Sequence, residues 1–157
     1  MMSVLQNHQI NVLVVDPDTE SRGQIQKLLT ADGYACRAVG SSALALQSAA
    51  EIMPNLLICD VNLGEESGLE LFATIKSFTD CPVVFISDSR KPETMQHAQR
   101  AGGTYFLSKP FDPAVLLELV DKALWMPHLV RRHVDSVAHQ LKAPTFAPTP
   151  SRVGSSN

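Results

Sequence analysis

The sequence has few cysteines, and the three that it has are widely spaced. An odd and dispersed set, Cys36, Cys59 and Cys81, suits neither a disulfide framework nor a zinc site, because both need paired or clustered ligands. Each cysteine lies in or beside an apolar run, and we interpret all three as small buried hydrophobic residues. The compartment expected for such a protein is a reducing cytoplasm.

Long apolar runs and an excess of charge of one sign are also missing. No apolar run approaches the roughly 20 residues that a membrane-spanning helix needs, so no membrane contact is expected. The first ten residues, MMSVLQNHQI, have no basic segment followed by an apolar one, which argues against secretion. The 13 basic and 16 acidic residues give a net charge of −3, which does not indicate a nucleic-acid binder.

Several catalytic and phosphate-binding motifs are absent. The first predicted strand is followed by neither a Walker A loop nor G-x-G-x-x-G, so a cradle for a nucleotide is not supported. This absence also argues against an alternative function, a flavodoxin-like cofactor binder. There is no G-x-S-x-G motif and no paired cluster of cysteine and histidine.

The composition divides the 157 residues into four parts. Residues 1–9 form an N-terminal arm, and residues 10–125 carry regular apolar patterns that predict a single domain. Residues 126–142 have apolar positions at helical spacing and predict an additional amphipathic helix. Residues 143–157 are rich in proline, serine and glycine, which is typical of a disordered tail.

Residues 10–125 alternate between short apolar runs and helical patterns. The runs at 10–15, 34–39, 55–60, 82–87 and 104–108 are typical of buried parallel strands. Helical patterns follow at 19–31, 42–53, from Ser67 onward, 92–101 and 113–125, and Asp18 is expected to cap the first helix with its carboxylate. Five such units predict an α/β fold, a doubly wound five-stranded parallel sheet in a three-layer sandwich.

Polar side chains follow four of the predicted strands. Asp16, Asp60, Ser87 and Lys109 all come at carboxyl ends, which meet at one edge of a parallel sheet. Crowded carboxylates can bind Mg²⁺ through oxygen, and a hydroxyl and an ammonium suit the oxygens of a transferring phosphoryl group. A central aspartate can itself accept phosphate covalently.

The segments VLVVDPD, DVNLGEESGLEL, PVVFIS and FLSKPF together resemble the receiver domain of two-component response regulators. The resemblance covers about residues 10–125 and implies a flavodoxin-like sheet in the order 2-1-3-4-5. It also implies transfer of a phosphoryl group to Asp60, assisted by Mg²⁺, from a histidine kinase or a histidine phosphotransfer protein.

The same resemblance implies roles for the residues around the phosphoacceptor. Asp16 and the backbone carbonyl of Asn62 would join Asp60 at the metal. Ser87 and Lys109 would contact the phosphoryl oxygens, and Ser87 would act as a switch together with Phe106, the aromatic residue of the last strand.

Three positions depart from the family pattern. Pro17 stands where the family has a second acid, so we expect Mg²⁺ to bind weakly. Asp88 follows Ser87 where a small residue is usual, and it could be a solvated acid, a brake on phosphoryl access or a substitute metal ligand. Gly64 replaces a frequent proline, which predicts a more mobile loop after Asp60.

These observations favour a phosphorylation-controlled interaction module rather than an enzyme with its own turnover. A downstream protein effector is expected to bind the surface around the fourth and fifth strands and helices. The 32 residues after Trp125 are too few for a helix-turn-helix, so no direct DNA binding is expected unless the chain is a fragment. Segment 126–142 is expected to dock on its own domain or to mediate a homodimer. The alternative is a pseudo-receiver that binds partners without phosphorylation.

Overall fold

The computed structural model describes residues 10–125. Its seven strands are β1 (Asn11–Val15), β2 (Ala35–Val39), β3 (Leu56–Asp60), β4 (Asn62–Leu63), β5 (Glu66–Ser67), β6 (Val83–Ser87) and β7 (Tyr105–Ser108). Five of them form a parallel sheet in the order β2-β1-β3-β6-β7, and β4 pairs with β5 as a separate antiparallel hairpin. Without the hairpin this is the predicted order 2-1-3-4-5, which is confirmed.

Five helices connect the strands, and their positions agree closely with the helical patterns. They are α1 (Thr19–Ala31), α2 (Ser42–Ile52), α3 (Gly68–Lys76), α4 (Pro92–Arg100) and α5 (Pro113–Trp125). The hydroxyl of Ser67 caps α3 by accepting hydrogen bonds from the backbone N–H groups of Leu69 and Glu70. Asp18 occupies the N-cap position of α1, but its carboxylate makes no capping hydrogen bond, so that part of the prediction is wrong.

The strands bury both faces of the sheet, because successive side chains point to opposite sides. One face packs against α2, α3 and α4 and the other against α1 and α5. On β7, for example, Phe106 belongs to the first of these cores and Tyr105 to the second. The three layers thus hold the sheet rigidly, and its carboxyl edge remains available for polar side chains.

The cysteine prediction is correct in two cases of three. Cys59 and Cys81 are buried, whereas Cys36 is half-buried because β2 is an edge strand that is covered less completely. Within residues 10–125, no helix is long and apolar enough to cross a membrane. The predicted N-terminal arm (1–9), amphipathic helix (126–142) and tail (143–157) lie outside the described residues.

Candidate functional site

Four polar residues come together at the carboxyl edge of the sheet. Asp60 and Ser87 are the last residues of β3 and β6, while Asp16 and Lys109 directly follow β1 and β7. Hydrogen bonds between backbones extend the sheet past the strand ends, from Asp16 N to Val39 O (3.0 Å) and from Lys109 N to Ser87 O (2.8 Å). The positions of these side chains are therefore fixed by the sheet itself.

The ammonium of Lys109 joins the two carboxylates. Its Nζ lies 2.7 Å from Oδ2 of Asp60 and 3.0 Å from Oδ2 of Asp16. It also donates a hydrogen bond of 3.2 Å to Oδ1 of Asp16. Asp16 is 0% and Asp60 6% exposed, so one cation stands between two carboxylates that are nearly removed from water.

Burial and pairing act in opposite directions on the pKa values of this cluster. Burial raises the pKa of Asp60, and the hydrogen bonds from Lys109 and from the Asn62 backbone offset that increase only in part. For Lys109, burial alone would lower the pKa, but the hydrogen bonds and charges of Asp60 and Asp16 outweigh it and raise the pKa. The charged form of Lys109 is thus held by its two acidic neighbours.

Three of these side chains also bind their own backbone. Asp16 Oδ1, Asp60 Oδ1 and Ser87 Oγ each accept a hydrogen bond from the N–H group two positions further on, at 3.0, 2.9 and 3.0 Å respectively. Such local turns are a common use of aspartate and serine where a chain leaves a strand. They orient each side chain at the sheet edge and direct the chain away from it.

Asp16 keeps one oxygen without a hydrogen bond. Its Oδ2 is buried and has no hydrogen-bond partner among residues 10–125, although Lys109 Nζ lies near it. A buried carboxylate oxygen that accepts no hydrogen bond fits a hard divalent cation, and the carboxylate of Asp60 lies close enough to share Lys109 with it. Pro17 is exposed and offers no ligand, and no group of three His, Cys, Asp or Glu side chains converges in this part of the chain.

The remaining predicted residues lie around this cluster. Ser87 is 1% exposed and lies one strand away from Asp60, but its hydroxyl makes no direct hydrogen bond to the three charged residues in residues 10–125. Asn62 is exposed, and its side-chain oxygen accepts a hydrogen bond of 3.0 Å from Gly64 N–H. Phe106 is 2% exposed and packs in the core, paired with Phe85 across β6 and β7.

Asp88, the residue after Ser87, lies at the protein surface. It is exposed, and in the described part of the chain it forms no ion pair and its carboxylate accepts no hydrogen bond. Its exposure is what a solvated acid, the first of the three interpretations, would show. Among residues 10–125, no hydrogen bond or ion pair links Asp88 to Asp60.

Some contacts at the site were not predicted. Arg22 donates a hydrogen bond of 2.8 Å from Nη1 to the backbone oxygen of Asp16. In the loop after Ser87, the hydroxyls of Ser89 and Thr94 lie 2.8 Å apart. Neither contact has a sequence motif, because each depends on the side-chain conformation at a turn between a strand and the helix that follows it.

Comparisons with known proteins agree with this arrangement. Residues 12–121 match the model of the response regulator receiver domain. The chain is 32% identical over 123 residues to the regulatory protein VirG of Agrobacterium tumefaciens (strain 15955), covering 77% of this chain but only 46% of VirG. It is 29% identical over 117 residues to an uncharacterized 14.6 kDa protein of Leptolyngbya boryana, covering 73% of this chain and 89% of that protein.

A solved structure gives the same result. The chemotaxis protein CheY4 of Vibrio cholerae matches with 28% identity and a TM-score of 0.67, over 73% of this chain and 98% of its own. The chain spans less than half the length of VirG, so the similarity to that regulator concerns one of its parts. With a family model that covers most of the chain, a matching strand order and matching sheet-edge chemistry, this chain belongs to the response regulator receiver domain family.

Proposed function

We propose that this receiver domain accepts a phosphoryl group on Asp60 from the phosphohistidine of a histidine kinase or a histidine phosphotransfer protein. A carboxylate oxygen of Asp60 attacks phosphorus, the new O–P bond forms, and the N–P bond to the imidazole breaks. The leaving imidazole keeps the electron pair of that bond. The phosphorylated domain then binds its downstream protein effector with altered affinity.

The contact between Lys109 and Asp60 is the observation that carries this proposal. Its 2.7 Å distance puts an ammonium beside the carboxylate that would be phosphorylated, where it offsets charge on the incoming phosphoryl oxygens. Ser87, at the next strand end, is the proposed hydroxyl donor to the same oxygens. Asp60 is 6% exposed, so its carboxylate is nearly removed from bulk water.

Mg²⁺ is the cofactor that suits this site. Asp16, Asp60 and the backbone carbonyl of Asn62 are the proposed ligands, and the unsatisfied Oδ2 of Asp16 supports this assignment. When bound, the cation neutralises part of the charge that gathers during phosphoryl transfer. Pro17 leaves the site one carboxylate short of the family pattern, and we therefore propose weak Mg²⁺ binding.

Intact-mass measurement tests the phosphoacceptor. After treatment with acetyl phosphate and Mg²⁺, the parent protein should gain the mass of one phosphoryl group and Asp60→Ala should gain none. Asp80→Ala is a matched control, because Asp80 is an exposed acid that precedes β6 at the opposite edge of the sheet. A parent protein that gains no mass, or an Asp60→Ala variant that still gains it, contradicts the proposal.

The proposed output surface is formed by β6, α4, β7 and α5. Phe106 lies beneath it and lines a groove of about 290 Å³ together with Met95 from α4 and Val115 from α5. Because β6 and β7 pair directly, a change at Ser87 can reach this surface through packed side chains. Segment 126–142 follows α5, and we propose that it assists a homodimer; sedimentation of the full chain against a 1–126 truncation tests this.

A pseudo-receiver that works without phosphorylation is the second candidate. It is favoured by Pro17 in place of an acid and by the negative charge of Asp88 next to Ser87. Beryllofluoride, a phosphoryl mimic, distinguishes a phosphorylated receiver from a pseudo-receiver when the NMR signals of the backbone amides are followed with and without Mg²⁺. Shifts around Asp60 that need both reagents support phosphorylation, whereas an unchanged spectrum supports the pseudo-receiver.

A further inference from the structure

The backbone oxygen of Asp16 is held from outside the site by a side chain six positions further along the chain. Arg22 lies in α1, and its side chain runs back toward the start of that helix, as helical side chains do. There its Nη1 donates a hydrogen bond of 2.8 Å to the Asp16 backbone oxygen. The next residue, Pro17, has no N–H group that could fix this turn from the other side.

Gly40 leaves the space that this contact needs. It follows β2, next to the last pair of the β1–β2 ladder, in which Val15 lies opposite Val39. A Cβ atom at position 40 would lie 2.6 Å from Nη1 of Arg22 and 3.4 Å from its Cζ. The guanidinium therefore occupies the volume that a side chain at position 40 would take.

We propose that Arg22, admitted by the missing side chain of Gly40, is a positioning residue that holds the Asp16 carboxylate in its orientation toward the Mg²⁺ site. The other hydrogen bonds of Asp16 hold its N–H group and its carboxylate, whereas Arg22 holds its backbone oxygen. The N–H of Asp16 donates to Val39 O (3.0 Å), and its Oδ1 accepts from Asp18 N–H (3.0 Å) and from Lys109 (3.2 Å). The backbone oxygen that Arg22 holds lies between the Cα of Asp16 and the chain that leads through Pro17 to the Asp18 N–H. A shift of this carbonyl therefore moves the Asp18 N–H relative to the Oδ1 atom that it binds.

This role matters more here than in a site with two adjacent acids. Pro17 contributes no carboxylate, so Asp16 is the one ligand that the proposed site takes from the residues directly after β1. A residue that orients a metal ligand typically changes metal affinity by about 10-fold to 100-fold when it is removed. The inference rests on the proposed function, because it assigns Asp16 to the metal.

The test uses substitutions that keep the positive charge of Arg22, because removing that charge would by itself strengthen the binding of Mg²⁺. Gly40→Ala should displace the guanidinium, which is the flexible end of a side chain, and leave the fold intact. Gly23→Ala is the matched control, because a Cβ there has no atom within 4 Å. In an Arg22→Ala background, Gly40→Ala should add no further change, because nothing is left for the methyl group to displace.

Two readouts are needed, and the first requires no metal. The Asp18 amide signal reports on its hydrogen bond to Asp16, and we expect it to move in Gly40→Ala but not in Gly23→Ala. Titration with Mg²⁺, followed by the same signals, should give a dissociation constant raised about tenfold in Gly40→Ala. An Asp18 signal that stays in place, or an unchanged Mg²⁺ affinity in a folded Gly40→Ala protein, overturns the inference. A parent protein that cannot be phosphorylated contradicts the proposed function instead and leaves the amide comparison valid.

Discussion

Replacing Lys109 by methionine should destabilise the domain strongly, because the variant leaves two buried carboxylates without a cation. At 2.7 and 3.0 Å, and with an effective dielectric constant of about 20, each contact is worth about 6 kcal/mol before desolvation is subtracted. Loss of one partner from a buried ion pair typically costs about 3–5 kcal/mol. We expect Lys109→Met to lower the free energy of unfolding at pH 7 by about that amount.

The destabilisation should depend on pH in a defined direction. Burial already raises the pKa of Asp60, and without Lys109 nothing but the Asn62 backbone opposes that effect. The pKa of an aspartate in the unfolded chain is about 3.9. A carboxylate whose pKa is higher in the folded protein stabilises the fold at pH values below about 3.9, and this stabilisation is lost as the pH rises through the pKa of the folded state. The difference between Lys109→Met and the parent should therefore be small near pH 4 and largest at neutral pH.

Urea denaturation followed by circular dichroism at pH 4, 5, 6 and 7 measures this difference. Lys122→Met is the matched control, since Lys122 pairs at 3.3 Å with Glu118 on the exposed face of α5 and its loss should cost about 0.5 kcal/mol or less. If Lys109→Met is as stable as this control at pH 7, the buried pair does not act as argued. A large loss that stays constant from pH 4 to pH 7 would contradict the role of Asp60 protonation.

Three further substitutions test separate parts of the structure. Gly68→Ala should lower the free energy of unfolding by about 1–3 kcal/mol and slow the mass gain with acetyl phosphate, because a Cβ at position 68 would overlap the backbone oxygen of Asp60. An unchanged urea midpoint and an unchanged rate of mass gain would refute this. Tyr34→Phe should lower the free energy of unfolding by about 1–3 kcal/mol and shift the fluorescence emission of Trp125, whose Nε1 donates a hydrogen bond of 3.1 Å to the Tyr34 hydroxyl. An unshifted emission spectrum would refute this prediction. Pro17→Asp should tighten Mg²⁺ binding about tenfold, as calorimetric titration would measure, and equal affinity would mean that the second acid is not what limits binding.

The fold and the location of the site could be predicted because both depend on short-range patterns. Apolar runs of five or six residues alternate with helical patterns, and parallel strands place all their carboxyl ends at one edge. Asp60 and Lys109 are 49 positions apart in the chain, yet each directly marks the end of a buried strand. Their contact thus follows from the topology, without any knowledge of side-chain conformation.

Local details after the strand ends were harder to predict. The loop after Asp60 folds as the β4–β5 hairpin, in which Gly64 adopts a φ of +88° that suits glycine. Asp18 has the sequence of a capping residue, but its N–H group is used by Asp16 Oδ1 and its own carboxylate remains exposed. The first turn of α1 lies at the surface, where water can satisfy its N–H groups, so the carboxylate is not required there.

The contact between Arg22 and Asp16 shows why some determinants of a site escape any sequence pattern. It needs a long side chain at one turn into α1, a carbonyl at the end of β1, and no side chain on Gly40 after β2. None of these features is unusual alone, since arginine is common on helices and glycine is common after strands. Arg22 and Asp16 meet across the turn from β1 to α1, and the register that sets Val15 opposite Val39 adds Gly40 to them. A change at position 40, far from any acid in the sequence, can therefore alter how the site binds a cation.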